Sequence, residues 1–258
     1  MRATLVWASY ASPHSYGRAM RALIIYIMKV IIENATAEIV EKKSRFIANL
    51  FYVASVEEAE AKLLEIKKKY YDAKHNCFAY VLGVNAETIK SSDDGEPQGT
   101  AGHPMLDILK GNELTNCIAI VTRYFGGTLL GTGGLVRAYS DSLKAAIANA
   151  KTSVLQEAYK VSFDINYDDY GKIENLVQNL NQINENNIYS LAKTFENVVK
   201  LEYLIGTEVF DKFKSEITNI TRGKVIIDNN NKVVYYINDY EFKNKKNISI
   251  PFRFIDDI

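Results

Sequence analysis

Between residues 91 and 110 the chain reads SSDDGEPQGTAGHPMLDILK. Asp93, Asp94, Glu96 and His103 crowd one short loop, a composition that serves acid–base catalysis or a hard cation. The spacing does not match the EF-hand register. Asp94-Gly95 is a turn pair, and a turn here leaves the carboxylates to pair with Arg45 or Arg123. Structural ion pairing is the stronger of the two readings. The catalytic reading takes His75, Asp94, Glu96 and His103 as one constellation. His75 precedes a strand, but no Ser or Cys stands in a nucleophile elbow to use it as a base.

A second stretch, GGTLLGTGGLVRAY at residues 126–139, leads from a strand into a helix. Gly126, Gly127, Gly131, Gly133 and Gly134 expose backbone N–H groups, and a helix N-terminus attracts anions. No Gly-Lys-Ser/Thr follows, so this is not a P-loop, and the glycines do not fall on G-x-G-x-x-G. The same glycines equally serve close packing and positive φ. Arg123 and Arg137 flank the turn and favour the anion reading, and Arg45 is counted with them as an anion-binding candidate. KKKYYDAKH, at 67–75, adds lysines and tyrosines that suit phosphates and bases. Lysines at a helix C-terminus also serve the helix dipole. No His/Cys cluster has zinc spacing, and neither a metal nor a cofactor is expected. Cys77 and Cys117 sit in apolar runs and read as buried, reduced thiols.

The elements that must position these residues are legible. Residues 36–53 read as two strands around the charged turn 41–43, with Ile39, Phe46, Ile47 and Val53 apolar. Ser55 caps a helix with acids in its first turn and lysines in its last; Leu63, Leu64 and Ile66 form its inward stripe. Residues 77–84 are a strand, 91–101 a loop, and a helix starts near Gly102 with Thr100 as cap and Pro104 in its first turn. His103 helps cap that helix. The run 116–125 is apolar throughout, as in a strand covered on both faces. A helix over 135–150 follows, with Thr132 as its cap.

A second unit begins near Leu155. Its order is strand, helix, two strands, helix, then a hairpin around 228–231, which is the split βαβ, ferredoxin-like pattern. The expected fold class is α+β: an N-terminal α/β sandwich domain over 28–154 and a smaller ferredoxin-like domain over 155–240. A tail, 241–258, adds an edge strand or stays loose. Residues 1–27 read as a leader outside the fold, an upstream start or a tag, with Met28 as the working first residue.

Apolar residues make up 47% of the 258 and charged residues 24%, an ordinary globular composition. Lys+Arg and Asp+Glu both number 31, so any nucleic-acid affinity must come from a local basic face. No apolar run is long enough for a membrane span, and a cytoplasmic location with no membrane partner is expected.

Four stretches together resemble the IMPACT/YigZ family: KKSRFIA (42–48), HNCFAYVLG (75–83), DDGEPQGTAGHPML (93–106) and IVTRYFGGTLLGTGGLVRAY (120–139). The last is highly specific. The resemblance covers about 28–238. It implies a first domain like the second domain of a small-subunit ribosomal protein and a second domain like the last domain of elongation factor G. Both point to RNA or the ribosome. Eukaryotic relatives regulate translation through an additional partner-binding domain, and that partner role is not carried over. The resemblance places the functional surface at Arg45, His75, Asp94, Glu96, His103, Arg123 and residues 126–134. The leading expectation is a non-catalytic regulator of translation that binds RNA or the ribosome. Two alternatives stand beside it: an enzyme acting on a phosphorylated or nucleotide substrate, and a module that binds a protein partner through the second domain's sheet.

Overall fold

The computed structural model describes residues 28–183, 187–228, 230–237 and 252–255, so the expectations for the leader and for most of the tail lie outside the described residues. Two compact units divide at Val154/Leu155.

The first unit begins with strand β1 (Lys29–Glu33) and the hairpin of β2 (Ala35–Glu41) and β3 (Ser44–Tyr52). Lys42 and Lys43, at its tip, have φ values of +45° and +66°. Positive φ at both tip residues is the two-residue hairpin turn whose twist matches that of the strands. Asn-Gly fills such turns cheaply, whereas each lysine costs roughly 1–2 kcal/mol there.

Helix α1 (Val56–Lys69) follows, capped by the Ser55 hydroxyl, which accepts from the Glu58 amide at 3.3 Å. Ile66 is buried, but Leu64 is 60% exposed, so the expected inward stripe is narrower by one residue. Strands β4 (His75–Leu82) and β5 (Thr88–Ser92), helix α2 (Gly102–Gly111), strand β6 (Cys117–Tyr124), helix α3 (Gly131–Asn149) and strand β7 (Lys151–Val154) complete the unit. β1 and β7 pair as a small separate sheet. Both they and β5 are additions to the elements expected from sequence.

The main sheet runs β2-β3-β6-β4-β5, every neighbouring pair antiparallel. One face presents Phe46, Leu50, Val81, Ala119 and Val121 to Met105 and Leu109 of α2 and to Leu135, Tyr139 and Leu143 of α3. The opposite face packs Tyr80, Leu82, Ile118 and Ile120 against Ala59 and Ile66 of α1. β6 is central and covered on both sides, which is why its sequence is apolar at successive positions rather than alternating. Both cysteines are buried and free, and burial raises each thiol's pKa to about 12.

The second unit contains β8 (Gln156–Ile165), α4 (Tyr167–Ile183), β9 (Ile188–Phe195), β10 (Val199–Gly206), α5 (Thr207–Ile220), β11 (Lys232–Ile237) and β12 (Phe252–Ile255). Its sheet order, β12-β11-β8-β10-β9, gives the ferredoxin-like arrangement with one added edge strand from the tail. Ile173 and Leu180 of α4 and Phe210, Phe213 and Ile217 of α5 pack on Val161, Phe163, Leu201 and Tyr203. Among the described residues the expected hairpin around 228–231 does not form. Residues 225–228 form no strand, and β11 pairs with β8 and β12 instead. Ile227 goes into the core while Ile226 stays exposed, so alternation alone imitated a strand here. The fold class is α+β. Among the described residues no helix is long and apolar enough to cross a membrane.

Candidate nucleic-acid interface

One end of the main sheet gathers the start of β3, the end of β6 and the start of β4. Cross-strand register sets Phe46, Arg123 and His75 side by side in a row on the face that carries α2 and α3. Both helices also begin at this end, each following a strand that terminates there.

The 93–101 loop is fastened over this row at several points. The Glu96 amide donates to the Asp93 carbonyl at 2.9 Å, and Asp94 (φ +43°) and Gly95 (φ +88°) occupy the centre of a type I′ turn. Asp93 turns its carboxylate inward: Oδ1 accepts from the amides of Ala101 and Gly102, both at 2.9 Å, and Oδ2 from Gly99 at 2.8 Å. It therefore caps α2, the task expected of Thr100. The Thr100 hydroxyl donates instead to the Pro97 carbonyl at 2.7 Å. Burial pushes the Asp93 carboxyl up, but the amides of Gly99, Gly102 and Ala101, with the charge of His103, outweigh that and hold it below its ordinary value.

Asp94 faces the other way, accepting from the Asn76 amide at 2.7 Å and from Lys67 Nζ at 3.0 Å. Its carbonyl lies 2.9 Å from His75 Nδ1. A carbonyl can only accept, so His75 carries a proton on Nδ1.

Glu96 points into the core. Both its oxygens take Arg123 Nη1, at 2.7 and 2.9 Å, and Oε1 also accepts from the Tyr139 hydroxyl at 2.8 Å. The two side chains of this pair are only 7% and 4% exposed. The Arg123 guanidinium lies over two rings, 5.5 Å from the centroid of Phe46 and 5.7 Å from that of Phe125. Its Nε is buried with no hydrogen-bond partner among the described residues. Burial first, then the neighbouring Cys77 and Glu96, drives the Tyr139 phenol far above its ordinary range.

The glycine turn follows β6. The Gly126 amide donates to the Ser44 hydroxyl at 3.1 Å, and a Cβ on Gly126 would lie 2.0 Å from the Lys43 carbonyl carbon. Only glycine lets the Lys42–Lys43 tip lie against this turn. Gly127 and Gly131 have positive φ. Thr132 does not cap α3; the cap position is Leu130, and no side-chain bond to the first amides occurs among the described residues. Gly131, Thr132 and Gly133 are exposed, and Gly134 is half-buried.

The expected site residues therefore separate. Arg123 is withdrawn from solvent and neutralised, which removes it from the surface set. Arg45 is exposed and paired with Glu38 at 2.7 Å on the α1 face. Arg137 is exposed, with no ion pair among the described residues. His75, Asp94, Glu96 and His103 do not converge: Glu96 is spent on Arg123, Asp94 on Lys67 and Asn76, and His103 is exposed. Among the described residues no group of acids, histidines and cysteines could hold a metal. Sequence reasoning missed Lys42, Lys43 and Phe125 as surface features. The available signal was an aromatic placed just where the buried strand gives way to Gly-Gly.

A model of the Impact N-terminal domain matches residues 42–147, which contain all four stretches quoted above. A Bacillus subtilis protein, IMPACT family member YvyE, is 40% identical over 182 residues, covering 70% of this chain and 82% of that protein. The chain belongs to the IMPACT family. Escherichia coli YigZ, another IMPACT family member, is 35% identical over 199 residues, 76% of this chain and 95% of its own length. A solved structure described as a hypothetical protein superposes with a TM-score of 0.52 at 30% identity, covering 78% of this chain and 95% of that one. The IMPACT domain match thus spans the hairpin tip, the fastened loop and the glycine turn.

Proposed function

We propose that this protein is a non-catalytic regulator of translation that binds RNA or the ribosome through the sheet end formed by the hairpin tip, the glycine turn and the start of α3. One observation carries the reading. Lys42 and Lys43 are exposed, held in a costly backbone conformation, and locked against the glycine turn by the absence of a side chain on Gly126. Strain of this kind collects where geometry serves binding. Arg137 and Lys74 add exposed positive charge, and neither has an ion-pair partner among the described residues. The amides at the start of α3 favour a negative group, since residues 131–133 are exposed and no side chain caps them among the described residues. Net charge is zero over the chain, so the affinity is local and of the phosphate-contact kind. Membership of a family whose eukaryotic relatives regulate translation supplies the process.

Filter binding with total cellular RNA, and sedimentation with ribosomes, test this between about 50 and 300 mM salt. Binding that weakens steeply with salt is expected. Absence of binding even at the lowest salt would end the proposal.

A further inference from the structure

We infer that the exposed ring of Phe125 is a stacking platform for an unpaired base, so that the nucleic acid recognised at this surface is single-stranded RNA rather than duplex. This inference rests on the proposed function and narrows its ligand.

An aromatic ring at the end of a buried strand is normally drawn inward. Phe125 is instead 57% exposed. The Arg123 guanidinium lies over the ring, 5.7 Å from its centroid. Both oxygens of Glu96 hold that guanidinium, and Phe46 flanks it too. One side of the ring is thus supported by a rigid, buried cation, and the ring's position is set before any ligand arrives. Pre-set aromatic surface avoids the ordering cost that a mobile side chain would add on binding.

Its surroundings match a nucleotide strand. The hairpin tip packs on Gly126, the next residue, so the exposed Lys42 and Lys43 belong to the same sheet end and can meet the phosphates flanking a stacked base. Leu129, 82% exposed on the same turn, adds apolar surface. Aromatic faces beside basic side chains are how proteins hold unpaired bases, whereas duplex RNA keeps its bases stacked on one another and shows such a ring only phosphate and ribose. A basic surface without an exposed ring would not separate the two.

The test uses the full chain, a fluorescent mixed-sequence RNA 12-mer and the matching duplex. Phe125→Ala should weaken single-strand binding about tenfold. Phe125→Leu, which keeps apolar cover over Arg123 but has no π face, should lose as much. Phe125→Trp should retain binding, and its fluorescence should be quenched by the single strand only. Thermal unfolding of the Leu and Trp variants should match the parent, separating stacking from folding. Equal affinity of parent and Phe125→Leu for the single strand, or equal losses on duplex and single strand, would overturn the inference. If the Lys42→Ala and Lys43→Ala variants then still lost RNA binding, the broader proposal would survive; if no form bound RNA at low salt, both would fall.

Discussion

Arg123 and Glu96 form a charge pair in the core of the first unit, with one guanidinium nitrogen between both carboxylate oxygens at 2.7 and 2.9 Å. The pair ties the 93–101 loop to the central strand β6, and through the Tyr139 hydroxyl it reaches α3. Three segments distant in sequence are joined at one point, the same point that supports Phe125.

Removing one partner of a buried pair leaves the other charged and dry. Glu96→Gln and Arg123→Met are each expected to destabilise the first unit by about 3–5 kcal/mol. Combining Glu96→Leu with Arg123→Met should cost less than either single change, because no lone charge remains. Urea unfolding of the four proteins checks this.

Asp93 couples the loop to acid. Its carboxyl titrates below the ordinary value in the fold, so the stability it contributes is fully present at neutral pH and is lost as pH falls below about 4. Asp93→Ala should lower stability by about 1 kcal/mol at pH 7, as for loss of a helix cap. It should also flatten the acid limb of the stability curve. Thermal melts from pH 2.5 to 7 would show both effects.

Gly126 is fixed by contact rather than by φ. A methyl there meets the Lys43 backbone at 2.0 Å, so Gly126→Ala must push the hairpin tip off the turn. A loss of about 1–3 kcal/mol is expected, as for overpacking. RNA affinity should fall with it, whereas Gly133→Ala, with open space at its Cβ position, should leave stability within about 1 kcal/mol. Denaturation and filter binding on both variants would separate the two glycines.

Lys42, Lys43 and Arg137 should behave as phosphate contacts. Each Ala variant is expected to weaken RNA binding across sequences and to reduce the salt slope by about one, with unfolding unchanged. Arg45→Ala, whose charge is already paired with Glu38 on the other face, should leave the slope nearly as it was. Affinity measured at four salt concentrations distinguishes them.

Much of this molecule could be read along the chain, because the physics concerned is local. The Ser55 cap, the continuous apolar run of β6, the positions of the main helices and the β-α-β-β-α-β order of the second unit each depend on residues a few positions apart. The motifs of 42–147 also carried the family. Tertiary structure alone decided which charges remain available. Arg123 and Arg137 look alike in sequence, yet one is consumed by a carboxylate brought from the 93–101 loop while the other stays in solvent. The helix cap supplied by Asp93, the contact of Gly126 with the hairpin tip and the exposure of Phe125 were decided in the same way. Each depends on cross-strand register and on long-range packing, in which desolvation and the pairing of distant groups determine whether a side chain is structural or free to bind.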